Sequence, residues 1–144
     1  MSDCSSADIR SAYEEVRADS NPVNWMLISY AEGTDNVWAL IGKGEGGLDE
    51  LKEKLSPSFR GFGYLRVISG DELSKRAKFV LINFCGSAIR QVQRVKMTVH
   101  GADVKKVLEH YAVQVDVDTP EDLTMEDIME RVRKAGGANY NNAK

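Results

Sequence analysis

Cysteine, proline and histidine are scarce in this chain, and no apolar run is long enough to cross a bilayer. It contains two cysteines, Cys4 and Cys85, three prolines and two histidines. Two cysteines so far apart, with no CxxC pair, provide neither a disulfide framework nor a zinc motif. A membrane-spanning helix needs about 20 consecutive apolar residues, which this sequence does not contain. The composition therefore predicts a globular domain without structural disulfides or a membrane span.

The sequence also has no motif for catalysis or for binding a metal. His100 and His110, the only histidines, have no cysteine or acid at metal-ligand spacing. Neither lies beside a serine or cysteine in a nucleophile motif. Asp116 and Asp118 suggest calcium at first, but an EF-hand loop needs glycine at its sixth position, where this chain has Glu121. We therefore predict a protein that is not an enzyme and that holds no metal or cofactor.

One segment resembles a nucleotide-binding loop. Residues 42–47, GKGEGG, fit the G-x-G-x-x-G pattern between a predicted strand and a predicted helix. The preceding strand is predicted to pair as a hairpin, and the following helix is only about two turns long, which does not suit a dinucleotide fold. Glu45, Asp49 and Glu50 would also repel a pyrophosphate at the start of this helix. We interpret the segment as a flexible connection and predict no small-molecule substrate.

The charge balance is slightly acidic. The 144 residues include 19 lysines and arginines against 22 aspartates and glutamates, for a net charge of −3. Nucleic-acid-binding proteins usually carry a dominant basic surface, so this balance argues against that class of partner. The N-terminal residues MSDCSSAD are polar and acidic, unlike a signal peptide or a basic transit peptide. We therefore expect a cytoplasmic protein.

The apolar pattern predicts an α/β fold in which helices and strands alternate along a single domain. Apolar residues from Ile9 to Val16 mark one face of a first helix, capped by Ser5 or Ser6. The run FVLINF is apolar almost throughout, which favours a central strand buried on both faces. The predicted helices cover residues 7–19, 48–55, 88–97, 103–110 and 120–135, and the predicted strands cover residues 24–30, 36–41, 62–69, 78–84 and 111–117.

Gly101 is predicted to interrupt the helical segment that follows the fourth strand. Ile89, Val92 and Val95 are spaced so that they would form the buried face of the part before this glycine.

Gly136 and Gly137 are predicted to end the last helix, because glycine is the usual residue just past a helix C-terminus. Thr119, followed by Pro120, is the predicted N-cap of the same helix. We therefore expect one domain at residues 1–135 and a polar C-terminal tail at residues 136–144.

Basic residues are concentrated between Gly70 and Met97, although the chain is acidic overall. Asp71 and Glu72 are the only acids in this window, and two basic clusters flank its apolar strand. Such an arrangement can present a cationic face to a large acidic partner. Arg90 and Arg94 are spaced i, i+4 and would share one helix surface. The six cations are Lys75, Arg76 and Lys78 before the strand and Arg90, Arg94 and Lys96 after it.

Three strings in the chain carry a family resemblance. GDELSKRAKFVLINF, QRVK and the closing KAGGANY resemble the coactosins, a branch of the ADF/cofilin-homology family of actin-binding proteins. The resemblance implies a single ADF-homology domain with a five- or six-stranded mixed sheet flanked by helices on both faces. It also implies a non-enzymatic protein of the actin cytoskeleton that binds the side of filamentous actin, with little or no monomer binding or severing.

The resemblance further implies which residues bind actin. Lys78 stands where coactosins have the lysine implicated in filament binding, and Lys75 belongs to the same turn. Lys96 and Met97 match a Lys-Met pair on the principal actin-contacting helix of the family. Arg66 matches a basic strand position, and the last helix would also contribute cations. The expected actin-binding residues are Arg66, Lys75, Arg76, Lys78, Arg90, Arg94, Lys96, Met97, Arg131 and Arg133.

The chain also departs from the family pattern. Ser2, Ser5 and Ser6 do not stand in the context of the family's regulatory serine, so no such phosphorylation switch is expected. An alternative is an adaptor that keeps the fold but binds a non-actin protein through the same basic patch or through residues 136–144. We expect a monomer whose partner is filamentous actin rather than a membrane or nucleic acid.

Overall fold

The computed structural model describes residues 2–18, 20–34, 36–69 and 76–142, with the backbone alone for 136–142. The elements, in chain order, are α1 Ala7–Arg17, β1 Trp25–Tyr30, β2 Trp38–Gly44, α2 Gly47–Lys52, β3 Arg60–Ser69, β4 Arg76–Cys85, α3 Gln91–Val107, β5 Val113–Val117 and α4 Met125–Asn142. The strands form one sheet in the order β2-β1-β3-β4-β5. Neighbouring strands are antiparallel except β4 and β5, which are parallel. The predicted mixed sheet is thus confirmed, with five strands.

Helices cover both faces of the sheet. α1 and α3 enclose one buried cluster, in which Trp38 and Phe62 are among the largest side chains. α2 and α4 enclose the other, which includes Leu51, Val80 and Ile128. Side chains alternate between the faces of a strand, so one sheet supplies both cores. Within the described residues, no helix has an apolar stretch long enough to span a bilayer.

β4 lies inside the sheet, between β3 and β5. Val80, Leu81 and Ile82 are fully buried, so the apolar run is covered on both faces as predicted, although β3 is the middle strand. The glycine-rich segment differs from the prediction, because β2 continues through Gly44 and only residues 45–46 separate it from α2.

α3 contradicts the sequence prediction in two ways. The helix runs without interruption from Gln91 to Val107, so Gly101 does not break it. Its buried residues are Met97, His100, Gly101 and Val104, whereas the predicted buried valines face outward. Gly101 is buried against the ring of Phe62. A Cβ added at Gly101 would lie 3.3 Å from Cζ of Phe62. A hydrophobic pattern does not predict a buried helix side that contains glycine and histidine.

Both ends of the last helix also differ from the prediction. Thr119 caps a short 3₁₀ turn at Pro120–Asp122 rather than α4. The hydroxyl of Thr124 accepts a hydrogen bond from the Asp127 amide (3.1 Å) at the true start of α4. The helix continues through Gly136 and Gly137 to Asn142, so the predicted end at Gly136 is wrong. The boundary between a domain at 1–135 and a tail at 136–144 remains a prediction.

Candidate protein-binding surface

The outward side of α3 carries a row of exposed valines. Val92, Val95 and Val99 expose 66%, 52% and 64% of their surface, respectively. They are spaced i, i+3 and i+7, so they form one ridge, which we call the α3 valine face. Exposed side chains of Arg90 and Lys96 lie beside it. Contiguous apolar surface with a polar rim is typical of protein-binding sites. Hydrophobic spacing alone does not predict this surface, because it favours a buried position for Val92 and Val95.

Met97 does not belong to this surface. Its side chain is only 2% exposed and packs in the core between α3 and the sheet. The expected Lys-Met pair is therefore split by the helix, because Lys96 is exposed and Met97 points inward. We correct the expectation that Met97 is presented as a surface contact.

Arg94 supports the start of α3. Its Nε donates to the carbonyl of Ile89 (3.0 Å) and its Nη2 to the carbonyl of Gly86 (2.5 Å). Arg90 precedes the helix, with an extended backbone at the N-cap position. Backbone carbonyls of the turn that leads into α3 thus engage the Arg94 guanidinium, whereas the Arg90 side chain is exposed; that the two share a surface remains a prediction.

Arg66 is also engaged within the fold. Its guanidinium donates to the carbonyls of Val16, Ala18 and Asn21 at 2.8, 2.6 and 2.6 Å. These carbonyls lie at the end of α1 and just beyond, where a helix leaves backbone acceptors without partners. Arg66 therefore holds the end of α1 against β3, and its guanidinium is not presented as a free cation.

The basic residues at the start of β4 form a second patch, on the opposite face of the sheet from α3. Arg76 is exposed and Lys78 half-buried, and Lys78 is paired in register with Val67 of β3. Both share a sheet face with Val80, the face that α2 and α4 cover. β4 has ten residues, so Arg76 lies about 30 Å from the end of the strand that leads into α3. The single basic edge predicted from the sequence is thus two patches, and Lys75 lies outside the described residues.

The cations of α4 differ in their surroundings. Arg131 pairs with Asp127 (2.9 Å) and Lys134 with Glu130 (3.4 Å), both one turn earlier on the exposed side of the helix. Arg133 is exposed. Exposed pairs of this kind contribute little to stability, so these side chains can exchange partners at low cost.

An acidic groove lies at the carboxyl ends of β4 and β5. It has a volume of about 560 Å³, and Arg94 and Arg131 line it together with Asp116, Asp118, Asp122 and Asp127. Among the residues that the structure describes, no three side chains of histidine, cysteine, aspartate or glutamate are grouped to hold a metal.

The glycine-rich segment already contains its own anion. The carboxylate of Glu50 accepts hydrogen bonds from Trp25 Nε1 (2.7 Å) and from the Gly46 amide (3.1 Å). The bond from Trp25, with help from the Gly46 amide, lowers the pKa of this carboxyl. A pyrophosphate would need the position that Glu50 occupies, so the geometry does not favour a nucleotide there.

Both histidines are held by hydrogen bonds within the fold. His100 Nδ1 lies 2.8 Å from the hydroxyl of Tyr30, and burial lowers its pKa. The backbone amide of His110 donates to the hydroxyl of Tyr13 (3.2 Å). The His110 carbonyl accepts a bond from Tyr64.

Comparison with known proteins identifies the family. Residues 1–133 match the model of the cofilin/tropomyosin-type actin-binding proteins. This chain belongs to that family. Within it, the chain is similar to the coactosin of Dictyostelium discoideum, with 44% identity over 100% of this chain and 98% of that protein. The predicted membership of the coactosin branch is confirmed.

Solved coactosin structures have the same fold. The crystal structure of coactosin from Entamoeba histolytica superposes with a TM-score of 0.86 at 30% identity, covering 94% of this chain and 97% of that one. Mouse coactosin, described as an actin filament binding protein, superposes with a TM-score of 0.78 at 27% identity, covering 99% and 98% of the two chains. A single ADF-homology domain is therefore established for this cofilin-family chain.

Proposed function

We propose that this protein binds the side of actin filaments, performs no chemistry, and neither severs filaments nor binds actin monomers strongly. The observation that carries this proposal is the α3 valine face. Three valines, each more than half exposed, leave apolar surface in water that a protein partner can cover. Filamentous actin is a large acidic surface, which suits the exposed cations beside that face. The protein would act in the cytoplasm, on the actin cytoskeleton.

The second basic patch supports a filament rather than a monomer as the partner. Arg76 lies about 30 Å and Lys78 about 23 Å along β4 from the strand end that leads into α3, and both lie on the sheet face opposite to α3. α4 begins at the end of the sheet where α3 also begins, and it runs back along the sheet toward this patch. Arg133 is exposed on α4, and we assign it to this patch. A filament repeats its surface, so two separated patches can be engaged together there. Linked contacts of this kind bind much more tightly than either contact alone.

Co-sedimentation with filamentous actin at low and high salt tests the proposal. Wild type should pellet, and less of it should pellet at high salt because salt screens exposed charges. Val95→Asp should weaken binding at both salt concentrations, by about ten-fold or more. Ser11→Asp is the matched control, since it adds the same charge at an exposed site on another helix, α1. If folded wild type stays in the supernatant at low salt, the proposed function is refuted.

A second pair of variants tests the second basic patch. Lys78→Ala should weaken pelleting at low salt and have less effect at high salt, because its contribution is electrostatic. Lys54→Ala removes the same charge from an exposed position beyond α2 and should bind as wild type. Gel filtration with actin monomers and imaging of filament lengths should show no stable monomer complex and no shortening. A monomer complex or shortened filaments would contradict those parts of the proposal.

A further inference from the structure

The N-terminal segment is docked beside α3 as an extra piece of sheet. Asp3 forms a parallel bridge with Val37, just before β2. The Asp3 amide donates to the carbonyl of Asn36 (2.7 Å), and the Trp38 amide donates to the carbonyl of Asp3 (2.9 Å). This segment therefore has defined backbone partners before the first helix begins.

Ser2 joins this segment to α3. Its backbone amide and its hydroxyl both donate to Oδ2 of Asp103, at 2.9 and 2.8 Å. Its hydroxyl oxygen also accepts a bond from Trp38 Nε1 (3.0 Å). Ser2 is buried, with 8% of its surface exposed. The two bonds from Ser2 lower the pKa of the Asp103 carboxyl, so it is ionised at neutral pH and accepts charge-assisted hydrogen bonds.

Asp103 lies directly beyond the α3 valine face. It follows Val99 by four residues, so the two lie on the same side of the helix. A second route connects the segment to α3 through aromatic rings. Trp38 stacks on Tyr30 with ring centroids 4.2 Å apart, and the Tyr30 hydroxyl contacts Nδ1 of His100. Ser2 thus reaches the helix at two points near the C-terminal end of the valine row.

We infer that residues 2–4 form a latch on α3, and that Asp103 is a positioning residue that sets the angle of the α3 valine face. This inference rests on the proposed function, because the latch would control the orientation of the same binding surface. Asp103 acts through α3 and not as a contact with actin. A change that releases the latch should loosen α3 and weaken filament binding while the two cores stay intact.

Asp103→Ala, Asp103→Asn and Glu109→Ala separate the latch from a general charge effect. Asp103→Ala removes the acceptor for both Ser2 bonds. Asp103→Asn keeps one side-chain oxygen as an acceptor but loses the charge, and should partly restore the latch. Glu109→Ala removes the same charge just after α3 from an exposed side chain. Val16→Ala controls for stability, because Val16 is fully buried in α1, outside residues 2–4 and outside α3.

Hydrogen exchange and co-sedimentation are measured on each variant. In Asp103→Ala we expect faster exchange at the amides of Asp3 and Trp38 and along α3, together with roughly three- to thirty-fold weaker filament binding. Asp103→Asn should lie between this variant and wild type, whereas Glu109→Ala should behave as wild type. Val16→Ala should lower the unfolding midpoint in urea but bind filaments with wild-type affinity.

Several results would overturn the latch. Unchanged exchange at Asp3 and along α3 in Asp103→Ala would show that Ser2 does not hold the helix. Released amides with wild-type filament affinity would show that the latch does not position the valine face. Equal loss of affinity in Val16→Ala would reduce the effect to stability. If wild type itself does not pellet, only the proposed function is refuted. Hydrogen exchange along α3 in Asp103→Ala then still shows whether the latch holds the helix.

Discussion

Replacing Met97 and Val95 separately should separate folding from binding on one helix. Met97 is 2% exposed, whereas Val95, two residues earlier, is 52% exposed. Truncating a buried methionine to alanine costs about 2–5 kcal/mol, because transfer energy is lost and a cavity remains. A domain of this size is stable by only about 5–15 kcal/mol. Val95→Ala removes exposed methyl groups and introduces a better helix former, so its unfolding free energy should stay within about 0.5 kcal/mol of wild type.

Urea denaturation followed by tryptophan fluorescence measures both effects. Trp25 and Trp38 are each 1% exposed and lie in the two different cores, so unfolding should shift the emission of both toward the red. Co-sedimentation should give the reverse ranking, with Val95→Ala weakened and folded Met97→Ala close to wild type. A loss of less than about 1 kcal/mol in Met97→Ala, or an equal loss in Val95→Ala, would refute the orientation of α3.

Two further residues should affect stability in ways that the structure specifies. Arg66→Ala should lose about 1–3 kcal/mol of unfolding free energy in urea, because three carbonyls lose a charged donor. Arg66→Lys should recover only part of this loss. Weaker filament binding at unchanged stability would instead show that Arg66 contacts actin. Burial lowers the pKa of His100 in the folded state, so protonation of this side chain favours unfolding. The contribution of His100 to the unfolding free energy should be constant above about pH 6.5. It should decrease as the pH falls from there toward the folded-state pKa. His100→Gln should flatten this part of the urea-midpoint profile, and an unchanged profile would contradict the assignment.

Local signals in the sequence were sufficient for most of the fold. Alternation, the unbroken apolar run of β4 and helical spacing located all five strands and the first helix, because one side of α1 and one or both faces of each strand pack against a core. α3 was misassigned for a physical reason. Its core side uses Gly101 to approach Phe62 and His100 to reach Tyr30, while its valines face water. A pattern based on hydrophobicity assigns the wrong side of such a helix to the core.

The candidate surface could be predicted only in part. The resemblance and the local charge indicated α3 and the start of β4, but not that the two lie on opposite faces of the sheet. The sequence shows that Arg66 and Arg94 are cations, but it does not show that backbone carbonyls accept hydrogen bonds from both guanidinium groups. Their partners lie in other turns and elements of the fold, so only the tertiary structure shows that these guanidinium groups are occupied. The Asp103–Ser2 contact was missed because nothing in either residue's neighbourhood predicts the other.

That contact has a consequence for how the protein folds. Ser2 and Asp103 are 101 residues apart in sequence, while the antiparallel strands β3 and β4 are close neighbours along the chain. Contacts between distant residues require a long loop to close, so they tend to form after local pairings. The N-terminal segment should therefore dock last, on a sheet that is already complete. Breaking its bonds to α3 should then quicken unfolding and leave the folding rate almost unchanged.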